Sequence, residues 1–273
     1  MDANLFRRFA AIAYERSGIS IKTGKEELVA SRVARRVQAL GLDGARAYLD
    51  LLEADEGDEL RRFVDAISTN FTSFFREPDH FTLLGELVSR MAAEGQPRLR
   101  LWSAAASSGE EAYSMAITVI EALRGREMDF KILATDICTK ILDQARSGTY
   151  TSARLTAIPE SLRRRYFTPL ERGSEQAKVN PEVAEHVSFR ALNLSAPPYP
   201  MSGPFDLVMC RNVMIYFDQA VRQRLISAIE PLVRPDGWLC IGHVETLAGI
   251  KSGFRLVRPS IFHLPDTGSA HAK

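Results

Sequence analysis

Glu110 and Glu111, two adjacent acids where a helix begins, are the side chains of this sequence best suited to hold a positively charged small molecule. They follow SAAASSG at 103–109, a run small enough to let the backbone approach a ligand closely, and that run follows an apolar, strand-like stretch around Leu99, Leu101 and Trp102. Strand, small-residue turn and helix together make a nucleotide-type cofactor site. A dinucleotide site would keep G-x-G-x-x-G, so that bare amides meet a pyrophosphate at the helix N-terminus. Here a single glycine, Gly109, stands beside two carboxylates. Carboxylates repel phosphate but suit an ammonium or sulfonium group, which points to S-adenosylmethionine rather than NAD. The same residues also read as an ordinary helix start, with Ser107 or Ser108 as N-cap and the acids favoured by the helix dipole.

The elements that must position this turn follow from periodicity. From residue 99 onward, short apolar runs (LRLWSA, KILATD, VSFRAL, FDLVMC, WLCIGH) alternate with helical segments, the pattern of an α/β, doubly wound, mainly parallel sheet. Ligands of such sheets bind at the carboxyl ends of the strands. Asp136 closes KILATD, where an acid can hold ribose hydroxyls or cap the following helix; its pairing with the small-residue turn favours the ribose. Asn193 and Leu194 follow VSFRAL and can present an amide and a backbone N–H to an adenine edge, although an isolated Asn there also suits a turn. FDLVMC runs into Arg211 and Asn212 and on to Tyr216. Before the sheet, TNFTSFFREPDHF at 69–81 interleaves Asn70, Thr72 and Arg76 with phenylalanines. Phe71, Phe74, Phe75 and Phe81 suit a core, whereas buried polar groups need partners, and a ligand can be one.

Up to about residue 67 every periodic segment is helical, with Gly18, Gly41 and Gly57 as expected helix ends. GFRLVRPSIFHL suits an antiparallel hairpin at the sheet edge, and residues 266–273 a loose tail. The polar stretch YFTPLERGSEQAKVNPEVAEH is too long for a plain crossover and suits a small insertion or a loop. The net charge of +1 argues against wholesale binding of nucleic acid or a membrane surface. Three widely spaced cysteines make neither a disulfide framework nor a metal site, and five scattered histidines lack H-E-x-x-H spacing, so no catalytic metal is expected. No apolar run reaches the roughly 18 residues of a membrane span, and no leader is evident, so a cytoplasmic location is expected.

Taken together, NFTSFFR at 70–76, SAAASSGEEAYS at 103–114, ATDI at 134–137, SGTY at 147–150, RYF at 165–167, CRNVMIYFD at 210–218 and GHVET at 242–246 resemble, in order, the chemotaxis receptor methyltransferases, the CheR family. The resemblance implies a class I S-adenosylmethionine-dependent methyltransferase. Its helical N-terminal domain (1–68) would read the receptor. Its methyltransferase domain (69–273) would carry a small β insertion at about 165–190. The implied reaction is methyl transfer to glutamate carboxylates on the cytoplasmic helical bundle of chemoreceptors. The enzyme would be a cytoplasmic monomer recruited to receptor arrays through its substrate, without nucleic acid or membrane insertion.

Carried over by motif, Arg76 and Tyr216 border the methyl-transfer centre. Asn70, Thr72, Arg76, Glu110, Asp136, Asn193, Leu194, Arg211 and Asn212 contact the cofactor, with Glu110 preferred over Glu111 for its ammonium. A glutamate acceptor, with a reference pKa near 4.3, is already ionised at neutral pH, which agrees with the lack of a catalytic histidine. Arg32, Arg35 and Arg36 fall at i, i+3 and i+4 on one helix face. Spacing alone suits a solvated face; the resemblance makes it a substrate-binding one. Members that bind a receptor-tail peptide carry G-x-G in the insertion loop. This chain has Arg172-Gly173-Ser174, so methylation without that tether is expected. A nucleotide-dependent oxidoreductase and a non-enzymatic adaptor are the alternatives; the missing pyrophosphate glycines oppose the first and the unbroken motifs the second.

Overall fold

Four short amphipathic helices open the chain, in a computed structural model that describes residues 1–54, 57–68 and 71–266. They are α1 (Ala3–Ser17), α2 (Glu26–Leu40), α3 (Ala45–Ala54) and α4 (Asp58–Ile67). Asp2 caps α1, its Oδ1 accepting from the Asn4 and Leu5 amides at 2.8 Å, and Gly18 and Gly41 end α1 and α2 in the left-handed conformation. Gly57 differs from expectation: it stands at the N-cap of α4, where Asp58 and Glu59 give the first turn the acids its dipole favours. The four helices bury their own core around Phe9, Val29, Val33, Tyr48, Leu49 and Phe63.

Helix α5 (Pro78–Ala93) leads into the alternating region: β1 (Arg98–Ser103), α6 (Glu110–Leu123), β2 (Asp129–Asp136) and α7 (Thr139–Ser147). A small β unit follows. It contains β3 (Thr149–Thr151), α8 (Ser152–Leu155), α9 (Glu160–Tyr166), β4 (Phe167–Pro169) and β5 (Gln176–Val179), and α10 (Pro181–Ala184) leaves it. The chain then returns through β6 (Val187–Ala191), β7 (Phe205–Cys210), α11 (Gln219–Ile229), β8 (Val233–Ile241), β9 (Arg255–Arg258) and β10 (Ile261–His263). Residues 267–273, most of the expected tail, lie outside the described residues.

The seven-stranded sheet has the order β6-β2-β1-β7-β8-β10-β9. The first five are parallel, and β10 and β9 form the expected antiparallel edge. Every residue of β7 is buried, as a strand covered on both faces requires. Alternation sorts the side chains: Leu99, Leu101, Leu207 and Met209 join the core under α5 and α6, whereas Trp102, Val208 and Cys210 join the core under α11. After β1 the chain crosses to β2 on one side, and β7 lies on the other, so β1 and β7 flank the switch point where such sheets open a crevice.

The insertion is wider at its start than the expected 165–190. Its sheet, β3-β5-β4, begins at Thr149 and ends at Val179, and residues 187–190 belong to the main sheet instead. Strand β3 is three residues long and pairs with residues 25 to 29 positions further on, so no local period announces it.

Candidate active site

The turn after β1 is fixed by hydrogen bonds to both neighbouring strands. Ala104 N–H donates to the Met209 carbonyl and Ala106 N–H to the Thr135 carbonyl, each at 2.8 Å. Asp136 reaches across from β2: its Oδ2 accepts from the Ser107 amide (2.9 Å) and its Oδ1 from the Cys138 amide (3.0 Å). Ser107 and Gly109 both adopt positive φ, 50° and 96°. At Gly109 a Cβ would also lie 2.9 Å from the Tyr150 hydroxyl and 3.0 Å from Ala145 Cβ, so both backbone and space demand glycine. The single glycine retained in the motif is therefore a packing glycine.

Below this turn lies a cleft of about 940 Å³ empty volume, partly open to solvent. Of the expected residues, Thr72, Arg76, Asp136, Asn193, Leu194, Arg211, Asn212 and Tyr216 all line it. Asn70 lies outside the described residues. Further lining comes from the helical unit, where Ser17, Ile19, Ile67 and Ser68 form a wall that local sequence does not reveal. That wall is stitched in place: Ser20 N–H donates to the Tyr216 carbonyl, Asn193 Nδ2 to the Arg16 carbonyl (both 2.8 Å) and the Tyr14 hydroxyl to Asp218 (2.7 Å). The Asn193 side chain thus also makes the turn considered from sequence, its Oδ1 accepting from the Ser195 amide and hydroxyl.

The paired acids divide the opposite way from expectation. Glu110 is fully buried outside the cleft lining, with Arg154 and the Ser108 hydroxyl on its carboxylate. Glu111 lines the cleft. Its Oε1 accepts from the Ser103 hydroxyl at 2.6 Å and its Oε2 lies 3.5 Å from Arg211 Nη1. Adjacent helical residues point about 100° apart, and the left-handed turn before α6 sets which of the two faces the cleft. Burial pushes the Glu111 carboxyl above the usual carboxylate range against the opposing pull of Arg211, and burial likewise raises Asp136. Two buried carboxylates whose ionised forms lack sufficient compensation fit a ligand bearing a cation at one end and hydroxyl donors at the other.

Arg76 and Tyr216 supply hydrogen-bond donors to the same cleft. The Arg76 guanidinium lies 5.4 Å from the Phe71 ring centroid and donates to the Phe71 carbonyl, with no ion pair among the described residues. The Tyr216 hydroxyl makes no hydrogen bond among them. Asn212 is held at φ 58°, its amide donating to Glu245 Oε2 at 2.9 Å, so its side chain projects from a constrained backbone.

The family description "CheR methyltransferase, SAM binding domain" matches residues 70–262, and "CheR methyltransferase, all-alpha domain" matches residues 4–68. The chain belongs to the CheR methyltransferase family. It is 40% identical over 261 residues to a chemotaxis protein methyltransferase of Salmonella typhimurium, covering 95% of this chain and 89% of that protein. A chemotaxis protein methyltransferase 2 of Pseudomonas aeruginosa is 40% identical (94% and 91%), and a relative from Borreliella burgdorferi 36% (90% and 89%). As a CheR-family enzyme the chain is an S-adenosylmethionine-dependent methyltransferase, and the acid-lined cleft fits that cofactor's ammonium and ribose.

The expected basic face of α2 is away from this cleft and is not uniform. Arg35 is exposed and Arg32 partly so, but Arg36 is engaged. Its Nε and Nη2 donate to the two oxygens of Glu59 at 2.8 and 2.7 Å, and Tyr48 donates to the same carboxylate at 2.8 Å. Arg36 thus ties α2 to α4. The partner lies 23 residues away on another helix, which spacing within α2 could not show.

Proposed function

We propose that this CheR-family enzyme is a chemotaxis protein methyltransferase that transfers a methyl group from S-adenosylmethionine to glutamate carboxylates of chemoreceptor cytoplasmic helices, giving glutamyl methyl esters. The observation that carries the reading is the polarity of one cleft. It presents two buried carboxylates, Glu111 and Asp136, and two donors, Arg76 and Tyr216, that have no carboxylate partner among the described residues.

The cofactor supplies an electrophilic methyl group when bound, and the protein's part is placement. Glu111 takes the ammonium, Asp136 the ribose hydroxyls, and Asn193 with Leu194 the adenine edge. Thr72, Arg211 and Asn212 complete the cofactor contacts. The acceptor carboxylate arrives ionised, so no residue needs to remove a proton; alignment alone is worth several kcal/mol, up to about 7–11 in well-oriented intramolecular reactions. A tight bidentate pair with arginine would blunt the nucleophile. Tyr216 therefore donates to the acceptor oxygen, while Arg76, drawn back over Phe71, attracts the acidic substrate. Residues 1–68 serve as the receptor-reading domain, with Arg32 and Arg35 on its basic face, and residues 69–273 as the methyltransferase domain with its β insertion. That insertion carries Arg172-Gly173-Ser174 in the turn between β4 and β5, which supports methylation without a receptor-tail tether.

The test is transfer of radiolabelled methyl groups to receptor cytoplasmic fragments. Alkali-labile label that disappears when the acceptor glutamates are replaced by alanine supports the reading; stable label, or none despite cofactor binding, refutes it. Submicromolar affinity for a receptor C-terminal pentapeptide in calorimetry would overturn the untethered reading.

A further inference from the structure

On the side of Arg211 that faces α5, three metal-ligating side chains converge that the methyl-transfer scheme leaves unused. Glu77 precedes α5, His80 lies in its first turn, and His243 follows β8. Their donor atoms all lie within 4.8 Å of one another. We propose that Glu77, His80 and His243 form a binding site for a zinc-class transition-metal ion beside the cofactor cleft.

The hydrogen-bond pattern around His80 carries the argument. The Ser260 hydroxyl donates to the Pro259 carbonyl at 2.6 Å, so its oxygen is left to accept at 2.8 Å from His80 Nε2. That fixes the proton of the neutral imidazole on Nε2 and leaves a lone pair on Nδ1. Nδ1 points to Glu77 Oε2, 3.6 Å away, which is itself an acceptor. His80 is fully buried, and neither atom has a hydrogen-bond partner among the described residues. Two buried lone pairs facing each other with no donor between them are unfavourable, and although the Arg211 guanidinium approaches Oε2 from another side, only an electrophile placed between the two atoms serves both.

A metal ion fits the ligand set. Donors of a tetrahedral zinc lie roughly 3–4 Å apart, and the exposed His243 ring can close the remaining gap. The Ser260 contact to Nε2 is the outer hydrogen bond that metal-bound histidines ordinarily make. Glu77 Oε1 is held separately, by Asn212 Nδ2 at 3.2 Å and the His243 amide at 3.3 Å, so Oε2 is the ligand atom. Arg211 approaches Oε2 to 3.2 Å without a hydrogen bond and also lies 3.5 Å from Glu111 on its other side, so it is not devoted to Glu77. Two imidazoles and one carboxylate select zinc and its late first-row neighbours over magnesium.

The experiment is calorimetric titration of the tag-free full chain with zinc chloride, repeated on His243→Ala, whose ring is exposed and whose loss leaves the core intact. One equivalent bound, weakened at least tenfold in His243→Ala, supports the site. Cobalt(II) should then give a visible spectrum without a sulfur-to-cobalt charge-transfer band. The absence of saturable zinc binding, unchanged affinity in His243→Ala, or a thiolate band implicating Cys138, Cys210 or Cys240 would overturn it.

Discussion

Replacing Glu111 by Gln, with Glu110→Gln as its counterpart, separates two neighbouring acids by what each one touches. In the cleft, Glu111 would lose a charge-assisted contact to the cofactor ammonium, a buried interaction worth about 1.5–3 kcal/mol. That converts to roughly a 10- to 100-fold weaker Kd for S-adenosylmethionine in calorimetry. Glu110→Gln breaks the pair with Arg154, whose side chain is 43% exposed. Solvent screens the Arg154 end, but the Glu110 carboxylate is buried, so the variant should lose about 1–3 kcal/mol of stability, a fall of roughly 3–9 °C in Tm, with cofactor affinity little changed. The pH dependence adds a second arm. Burial raises the Glu111 carboxyl, so its protonated fraction appears at a higher pH than for an ordinary glutamate, and only the ionised form attracts the ammonium. Wild-type affinity should therefore begin to fall above the usual glutamate range as pH is lowered, whereas Glu111→Gln should be flat there. An equal or larger loss of affinity in Glu110→Gln would refute the division of roles.

Asp136→Ala should weaken cofactor binding and methylation together by about 10- to 100-fold, since it removes both the proposed ribose contact and the support of the Ser107 amide; retained activity in a methyl-transfer assay counts against the site. Gly109→Ala forces a side chain into a left-handed backbone against Tyr150 and Ala145, and should cost about 1–3 kcal/mol in denaturant unfolding. Arg36→Ala should destabilise the helical unit by about 3 kcal/mol by leaving Glu59 buried beside Tyr48, while Arg35→Ala should leave Tm unchanged and raise KM for the receptor. Because His80 titrates at about 4 when folded and near 6.5 when unfolded, the unfolded state takes up the proton first. Stability of the metal-free protein should thus fall by up to about 3 kcal/mol from pH 6.5 to 4, and His80→Gln should flatten that slope in chemical denaturation.

The sheet is legible in the sequence because its strands are covered on both faces. FDLVMC is buried throughout and KILATD is mostly apolar, and each leads into a residue that lines the cleft, Arg211 and Asp136, so strand and site are announced together. The four N-terminal helices carry a 3.6-residue period because each buries only one side. Illegible were the features fixed by distant partners. Strand β3 exists only through β5, Arg36 is claimed by Glu59, and the choice between Glu110 and Glu111 depends on two left-handed residues in the turn. The wall formed by Ser17 and Ile19 arises where α1 ends against Tyr216 and Asn193, about 175–200 residues further along the chain.

That wall bears on how the two units can be inherited. The backbone after α1 forms part of the wall of the cleft, so the N-terminal helices are not an interchangeable adaptor fused to a structurally self-sufficient second unit. A catalytic portion cut free of them would expose the cleft along one side and leave the Tyr216 carbonyl without its Ser20 partner. Lineages that exchange the N-terminal helices must therefore keep the short Ser17–Ser20 stretch, and Tyr14 before it, compatible with Tyr216, Asn193 and Asp218, and recombination at the junction should succeed only between parents that match there.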